Sequence, residues 1–186
     1  MEEAILLARE AEKLGEVPIG CVITKDGAIV GRGYNRRETG KNALAHAELT
    51  AIDEACRTLG GWRLWQCRLY VTLEPCPMCT GAIINARIPV VVYGAPDPKA
   101  GSMGSVINLT DLPYNHRPEI ISGVLEAPCA HLLTGFFRSL RARKKEEKAA
   151  RRQAADGDTV TGSPSAEVPS YIDKSTISDY DRELTE

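Results

Sequence analysis

The sequence predicts an α/β protein, a three-layer α/β/α domain built on a central mixed five-stranded sheet. Three observations lead there. The periodic and apolar segments follow the order α-β-β-α-β-α-β-β-α, which implies a sheet covered by helices on both faces. Asp26-Gly27 marks a tight turn between the first two strands, which therefore run antiparallel. Residues 89–93, Pro-Val-Val-Val-Tyr, are wholly apolar, as expected of a short strand buried on both sides.

Residues 2–14 read as the first helix, with Ala4, Leu7, Ala8, Ala11 and Leu14 recurring at three- and four-residue steps and Gly15 placed to end it. The first strand is expected over 17–23, with Pro18 at its start because proline donates no ladder hydrogen bond. Residues 28–34 form the returning strand, and the polar stretch 35–42 is a loop. A second helix covers 45–59, with Leu49, Ile52, Cys56 and Leu59 as its apolar face and Gly60-Gly61 at its end. Strand 67–73 leads through Glu74-Pro75 to a helix reaching Asn85, with Pro77 at its first position and Cys76 just before it. Residues 95–115, rich in Gly, Pro and Asp, are expected as a long surface loop and 119–124 as a final short strand. The last helix starts near Glu126 with Cys129, Leu132, Leu133, Phe136 and Leu140 on its apolar side.

The chain of 186 residues is 43% hydrophobic and 26% charged, the composition of a soluble globular protein with a real core. Its net charge of −2 conceals a division. Residues 1–152 carry 21 Lys and Arg against 17 Asp and Glu, whereas 153–186 carry 2 against 8. The expected organisation is one domain over 1–152, ending in a basic helix, followed by a disordered acidic tail over 153–186. Between Arg138 and Arg152 lie eight basic residues and two Glu, which suit either a grip on phosphates or a solvated helix face. No apolar run approaches the ~18 residues of a membrane span. With no basic leader at its acidic N-terminus, the chain is expected in the cytoplasm, without membrane attachment. Six scattered cysteines are consistent with a reducing compartment and give no disulfide framework.

The chemistry concentrates between Ala45 and Gly81. His46, Cys76 and Cys79 are three ligands of metal type, and Glu48 stands two residues after the histidine. Catalytic zinc sites take three protein ligands and leave one position open, whereas structural sites close all four. The pattern H-x-E…P-C-x-x-C is the signature of zinc nucleobase deaminases, with the Glu as proton carrier. Cys76 and Cys79, at i and i+3 in the first turn of a helix, face the same way, and the helix N-terminus favours their thiolates. His46 and Glu48 do not share a helix face, which suits a ligand and a base reaching one water from different directions. Taken singly, a C-x-x-C is often a structural or redox pair and a first-turn Glu is often only capping. The redox reading, though, leaves the His and Glu unexplained.

The chain resembles the bacterial tRNA-specific adenosine deaminases of the cytidine/deoxycytidylate deaminase superfamily across most of residues 1–143. The resemblance rests on Gly15-Glu16-Val17-Pro18-Ile19-Gly20, Gly33-Tyr34-Asn35, Ala45-His46-Ala47-Glu48, and residues 69–76, Leu-Tyr-Val-Thr-Leu-Glu-Pro-Cys. Asn85-Ala86-Arg87-Ile88, Asp97, Lys99, Gly101, Asn115-His116-Arg117 and Phe136-Phe137 extend it. It implies a cytidine deaminase-like fold, with the domain over 1–152 as a zinc-dependent deaminase. It implies one Zn²⁺ per subunit, and a homodimer that converts adenosine to inosine at the wobble position of a tRNA anticodon stem-loop. It further implies His46, Cys76 and Cys79 as metal ligands and Glu48 as the catalytic residue. By the same resemblance Asn35 contacts the target nucleoside, Val17, Pro18 and Ala47 lie against its base, and Asp97, Asn115 and His116 lie near the RNA. The alternative is a deaminase of a free base or nucleoside, guanine or cytosine, which shares the zinc site but needs no basic surface.

Overall fold

The computed structural model describes residues 1–157, and the chain divides into two units at Lys145/Glu146. The elements are α1 (Glu2–Lys13), β1 (Gly20–Lys25), β2 (Ala28–Tyr34), α2 (Ala47–Leu59), β3 (Cys67–Leu73), α3 (Pro77–Asn85), β4 (Val90–Ala95), β5 (Glu119–Ile121) and α4 (Glu126–Gly157). Their order is the one the sequence predicts. The boundary expected at 152/153 falls inside α4, and the expected acidic tail beyond Gly157 lies outside the described residues.

The five strands lie in the order β2-β1-β3-β4-β5. β1 is antiparallel to β2 and β3, while β3, β4 and β5 run parallel, so the sheet is mixed. β1 begins at Gly20 and not at Val17, because the Ile19 N–H turns back to the Val17 carbonyl at 2.8 Å before the chain extends. Asp26 and Gly27 both take positive φ, 50° and 81°, as a two-residue hairpin turn requires.

The register sorts the residues onto two faces. Cys21 pairs with Gly33 and Val71, Ile23 with Gly31 and Leu69, and Val71 with Tyr93, so these residues share one face. They pack with Ala47, Ala51 and Ala55 of α2 and Ile83 of α3 in the main core. Gly20 pairs with Tyr34 on the opposite face, where a Cβ at Gly20 would strike the Ala4 carbonyl of α1. Gly94 lies on that face too, and a Cβ there would strike Cys129 of α4. Helices therefore cover both faces, and the three layers are those expected.

One expectation about α2 is corrected. Its buried stripe is Ala47, Glu48, Ala51 and Ala55, while Leu59 is 37% exposed and Ile52 and Cys56 only flank the core. The cause is in β2. A Cβ at Gly33 would collide with the Ala47 carbonyl and one at Gly31 with the Ala51 carbonyl. With no side chains there, the helix lies on its smallest residues, backbone close to backbone, and its larger apolar side chains are turned to the flanks.

The segment after β4 is also more ordered than a surface loop. Gly101, Ser102 and Met103 are buried, and they fold around Glu74, itself 2% exposed. Its carboxylate accepts the N–H groups of Asp97 at 3.1 Å, Met103 at 2.9 Å and Ser105 at 3.0 Å, and the Ser105 hydroxyl. The Ser102 N–H adds a bond to the Pro75 carbonyl at 2.9 Å, tying the segment to the residue before Cys76. Burial alone would raise the Glu74 pKa, but the donors from Ser105, Asp97 and Met103 outweigh it and hold the carboxyl below its ordinary value.

This packing can be probed at two positions. Gly33→Ala forces α2 away from β2 and costs about 3 kcal/mol, read as a lower urea midpoint at unchanged m; an unchanged midpoint contradicts the close approach. Glu74→Gln costs about 2–3 kcal/mol at pH 7, the scale of lost charge-assisted bonds. Because the folded pKa is depressed, that stability is present above the unfolded value of about 4.3 and is lost as pH falls through the folded one. Wild type and variant therefore converge in thermal stability on acidification below about pH 4, and a gap independent of pH contradicts the assignment.

Candidate active site

Two helix N-termini meet at the end of the sheet where β3 finishes. His46 is the N-cap of α2, with φ −79° and ψ 152°, and Cys76 is the N-cap of α3, with φ −73° and ψ 172°. Both caps are extended, and neither side chain bonds back to the first-turn N–H groups of its own helix, which leaves both for a shared ligand. Pro77 at the first helical position of α3 fixes the following turn and brings Cys79 onto the same side as Cys76. The sequence places both His46 and Glu48 in the first turn of a helix starting at 45; α2 starts at Ala47, so His46 stands just outside it as the N-cap and Glu48 lies inside.

The result is a cluster whose three ligand atoms lie within 4.8 Å of one another. His46 Nδ1 is 3.8 Å from Cys76 Sγ and 3.5 Å from Cys79 Sγ. A tetrahedral ion bonding nitrogen at about 2.0 Å and sulfur at about 2.3 Å separates them by about 3.5 Å. The donor set and its spacing thus fit zinc, with Nδ1 as the histidine's ligand atom. Among the described residues this is the one cluster of three or more His, Cys, Asp and Glu groups placed to hold a metal.

Electrostatics agree with a cation site. The Cys76 thiol is lowered to about 4, because the Cys79 thiol and His46 hydrogen-bond its sulfur and offset the opposing effect of burial. Cys79 is pushed up, because it serves as the donor to Cys76 and is buried near Glu48. The protein's own groups thus stabilise one negative charge on the pair, and a second thiolate requires a cation between them. Glu48 is 4% exposed, and burial raises its carboxyl to about 6, with the Cys76 charge adding to the shift. The buried Cys21 thiol is raised by its own burial and by the Glu48 charge.

The remaining residues expected at the site divide into two groups. Asn35 is 6% exposed, and its N–H bonds the Ile19 carbonyl at 3.0 Å, extending the β1–β2 pairing by one step. It therefore follows Gly31 and Gly33 on the α2 face, just beyond the helix start that carries His46. Ala47 is fully buried over Gly33, Pro18 is buried, and Val17 is half-buried in the turn before β1. Asp97 is half-buried on the Glu74-bound segment, where its Oδ1 accepts from the Lys99 N–H at 2.9 Å and the Ala100 N–H at 3.2 Å. Asn115 and His116 are not brought there. His116 Nε2 lies 2.7 Å from the Ile88 carbonyl, ahead of β4, whereas Cys76 follows the carboxyl end of the parallel β3, so the two are at opposite ends of the sheet. Two further carboxylates stand inside the sequence motifs without a role assigned by them, Glu16 and Glu74, both fully buried. The signal in the sequence is an acidic residue at the edge of an apolar strand, Glu16 before Val17 and Glu74 after Leu73.

Comparison with known proteins places this geometry. The family model for the cytidine and deoxycytidylate deaminase zinc-binding region matches residues 1–95. A tRNA-specific adenosine deaminase of Bacillus subtilis is 51% identical over 157 residues, spanning 84% of this chain and 96% of its own. A solved structure from a study of A-to-I editing by tRNA A34 deaminases superposes with a TM-score of 0.70 at 44% identity, covering 72% of this chain and 97% of that one. The guanine deaminase of Bacillus subtilis superposes at 0.51 with 37% identity, covering 76% and 90%. The chain belongs to the cytidine and deoxycytidylate deaminase family and, within it, to the tRNA-specific adenosine deaminases.

Proposed function

We propose that this protein hydrolytically deaminates adenosine to inosine at the wobble position of tRNA anticodons. The observation that carries the reading is the meeting of His46, Cys76 and Cys79 beside the buried Glu48, in a chain 51% identical to a tRNA-specific adenosine deaminase. In this reading His46 Nδ1 and the two sulfurs hold one Zn²⁺ per chain. When bound, the ion makes hydroxide available near neutral pH by lowering the pKa of a water.

Glu48 supplies the proton traffic. It takes one proton of the attacking water and delivers it to the ring nitrogen beside the carbon under attack; as the new hydroxyl becomes a carbonyl it takes the second proton and gives it to the departing amine, which leaves as ammonia. Burial suits Glu48 to this double role, since a carboxylate whose affinity for protons is raised both accepts and returns one readily. Asn35 and Val17 border the nucleoside, with Pro18 and Ala47 packed behind them, and Asp97 sits on the neighbouring wall organised by Glu74. An anticodon loop is already single-stranded, so inserting its base requires little unpairing. The protein acts in the cytoplasm as a homodimer, and the placement of Asn115 and His116 at the far end of their own subunit leaves any RNA contact from them to a separate part of the surface.

A second reading, deamination of a free base, draws on the similarity to guanine deaminase. One assay separates the two. Incubated with an anticodon stem-loop bearing adenosine at the wobble position, and separately with guanine, cytosine and adenosine, the protein is expected to release ammonia from the stem-loop alone. Turnover of only the free compounds overturns the tRNA reading. In the same assay Glu48→Gln is expected to keep about one zinc per chain and to lose roughly 10²–10⁴-fold or more in kcat; wild-type kcat in that variant overturns the role of Glu48.

A further inference from the structure

Glu16 is 0% exposed, yet its carboxylate is fully engaged. One oxygen, Oε1, accepts the backbone N–H of Thr39 at 2.6 Å, and the other, Oε2, accepts Asn35 Nδ2 at 3.2 Å. Burial by itself would raise its pKa, but the Thr39 and Glu38 donors and the nearby Arg37 charge hold it below the ordinary value. The group is therefore an ionised carboxylate, which accepts hydrogen bonds and donates none.

An ionised partner restricts Asn35. An asparagine amide can be turned either way about its last bond, presenting NH₂ or oxygen to a given neighbour. Facing a group that only accepts, Asn35 has one stable choice: Nδ2 toward Glu16, with Oδ1 as the free end of the amide. Asn35 lies on the α2 face just past the helix start that carries His46, and its backbone is fixed by the bond to Ile19. A second tether on the same segment, the Arg36 N–H to the Ala45 carbonyl at 3.0 Å, joins it to the residue before His46.

We propose that Glu16 is a positioning residue that sets the orientation of the Asn35 amide and so decides which edge, oxygen or NH₂, meets the substrate nucleoside. This rests on the reading of Asn35 as a nucleoside contact, and it assigns the selectivity of that contact to a residue that touches no substrate. Glu16→Gln is the diagnostic change because it conserves shape. The Thr39 N–H is backbone and cannot turn, so it retains the glutamine oxygen. The glutamine NH₂ then faces Asn35, whose amide turns over to meet it with Oδ1. The Thr39 N–H and the Asn35 amide remain paired, but the edge offered to the substrate is reversed.

The test is a double-mutant cycle of Glu16→Gln and Asn35→Asp, read in two ways. In thermal unfolding, which needs no substrate, Glu16→Gln is expected to fall by only a few degrees, since the charge-assisted bonds weaken while the Thr39 and Asn35 partners are kept. Asn35→Asp, which sets carboxylate against carboxylate, is expected to fall by about 5 °C or more. The double variant is expected to regain most of that loss, because the amide introduced at position 16 donates to the carboxylate introduced at position 35. In deamination of the stem-loop, Glu16→Gln is expected to raise KM about tenfold or more with a smaller change in kcat and unchanged zinc content. Failure of the double variant to regain stability overturns the pairing whatever the substrate proves to be. A folded Glu16→Gln variant with wild-type KM on a substrate that wild type turns over overturns the positioning role while leaving the proposed function intact.

Discussion

The site depends on how closely α2 lies on β2. Glycine at 31 and 33 removes the two side chains that would hold the helix off the sheet, and alanine at 47, 51 and 55 removes those on the other side. Backbone therefore rests nearly on backbone. A helix seated this tightly has little freedom to slide or rotate, since any shift drives an alanine carbonyl or Cβ into the strand. The N-terminus of α2 is fixed as a result, and His46 as its N-cap arrives opposite the N-cap of α3. Ligand atoms from two helices meet at 3.5–3.8 Å because each helix is anchored by its own contact with the same sheet face.

Three buried carboxylates then divide the work around that point, and their partners distinguish them. Glu74 is saturated by backbone and hydroxyl donors and acts as the centre about which the 97–105 segment folds. Glu16 is saturated by Thr39 and Asn35 and clasps the segment leading to His46. Glu48 also has donors, its own backbone N–H and the Cys79 thiol, but burial and the neighbouring Cys76 charge outweigh them, and its carboxyl is raised where the other two are lowered. Donor-rich surroundings fix a carboxylate as a permanent anion, which suits structure. Burial and a neighbouring negative charge that outweigh the donors let it exchange a proton, which suits catalysis.

Much of this was legible in the sequence, for reasons that differ by feature. Element order and the hairpin at Asp26-Gly27 follow from local periodicity and turn chemistry, which need no knowledge of distant contacts. The His46, Glu48, Cys76 and Cys79 spacing was readable because metal chemistry restricts which residue types occur together. The buried face of α2 was misread because Leu49 and Leu59 outweigh alanine in any hydrophobic pattern, whereas the packing was decided by glycines in a different element, β2. The order in the 97–105 segment was invisible for a similar reason: a Gly- and Pro-rich stretch looks loose until the carboxylate that fills its centre is known. The far-end placement of His116 is likewise a matter of strand direction, which no local pattern specifies.

The central claim is that two helix N-termini assemble one nitrogen and two sulfur ligands around a single zinc ion. X-ray absorption at the zinc edge of the purified protein tests it most directly. The expected shell is one imidazole nitrogen at about 2.0 Å and two sulfurs at about 2.3 Å, with one further light atom completing four-coordination. A shell of four sulfurs, or one with no sulfur at all, would contradict it.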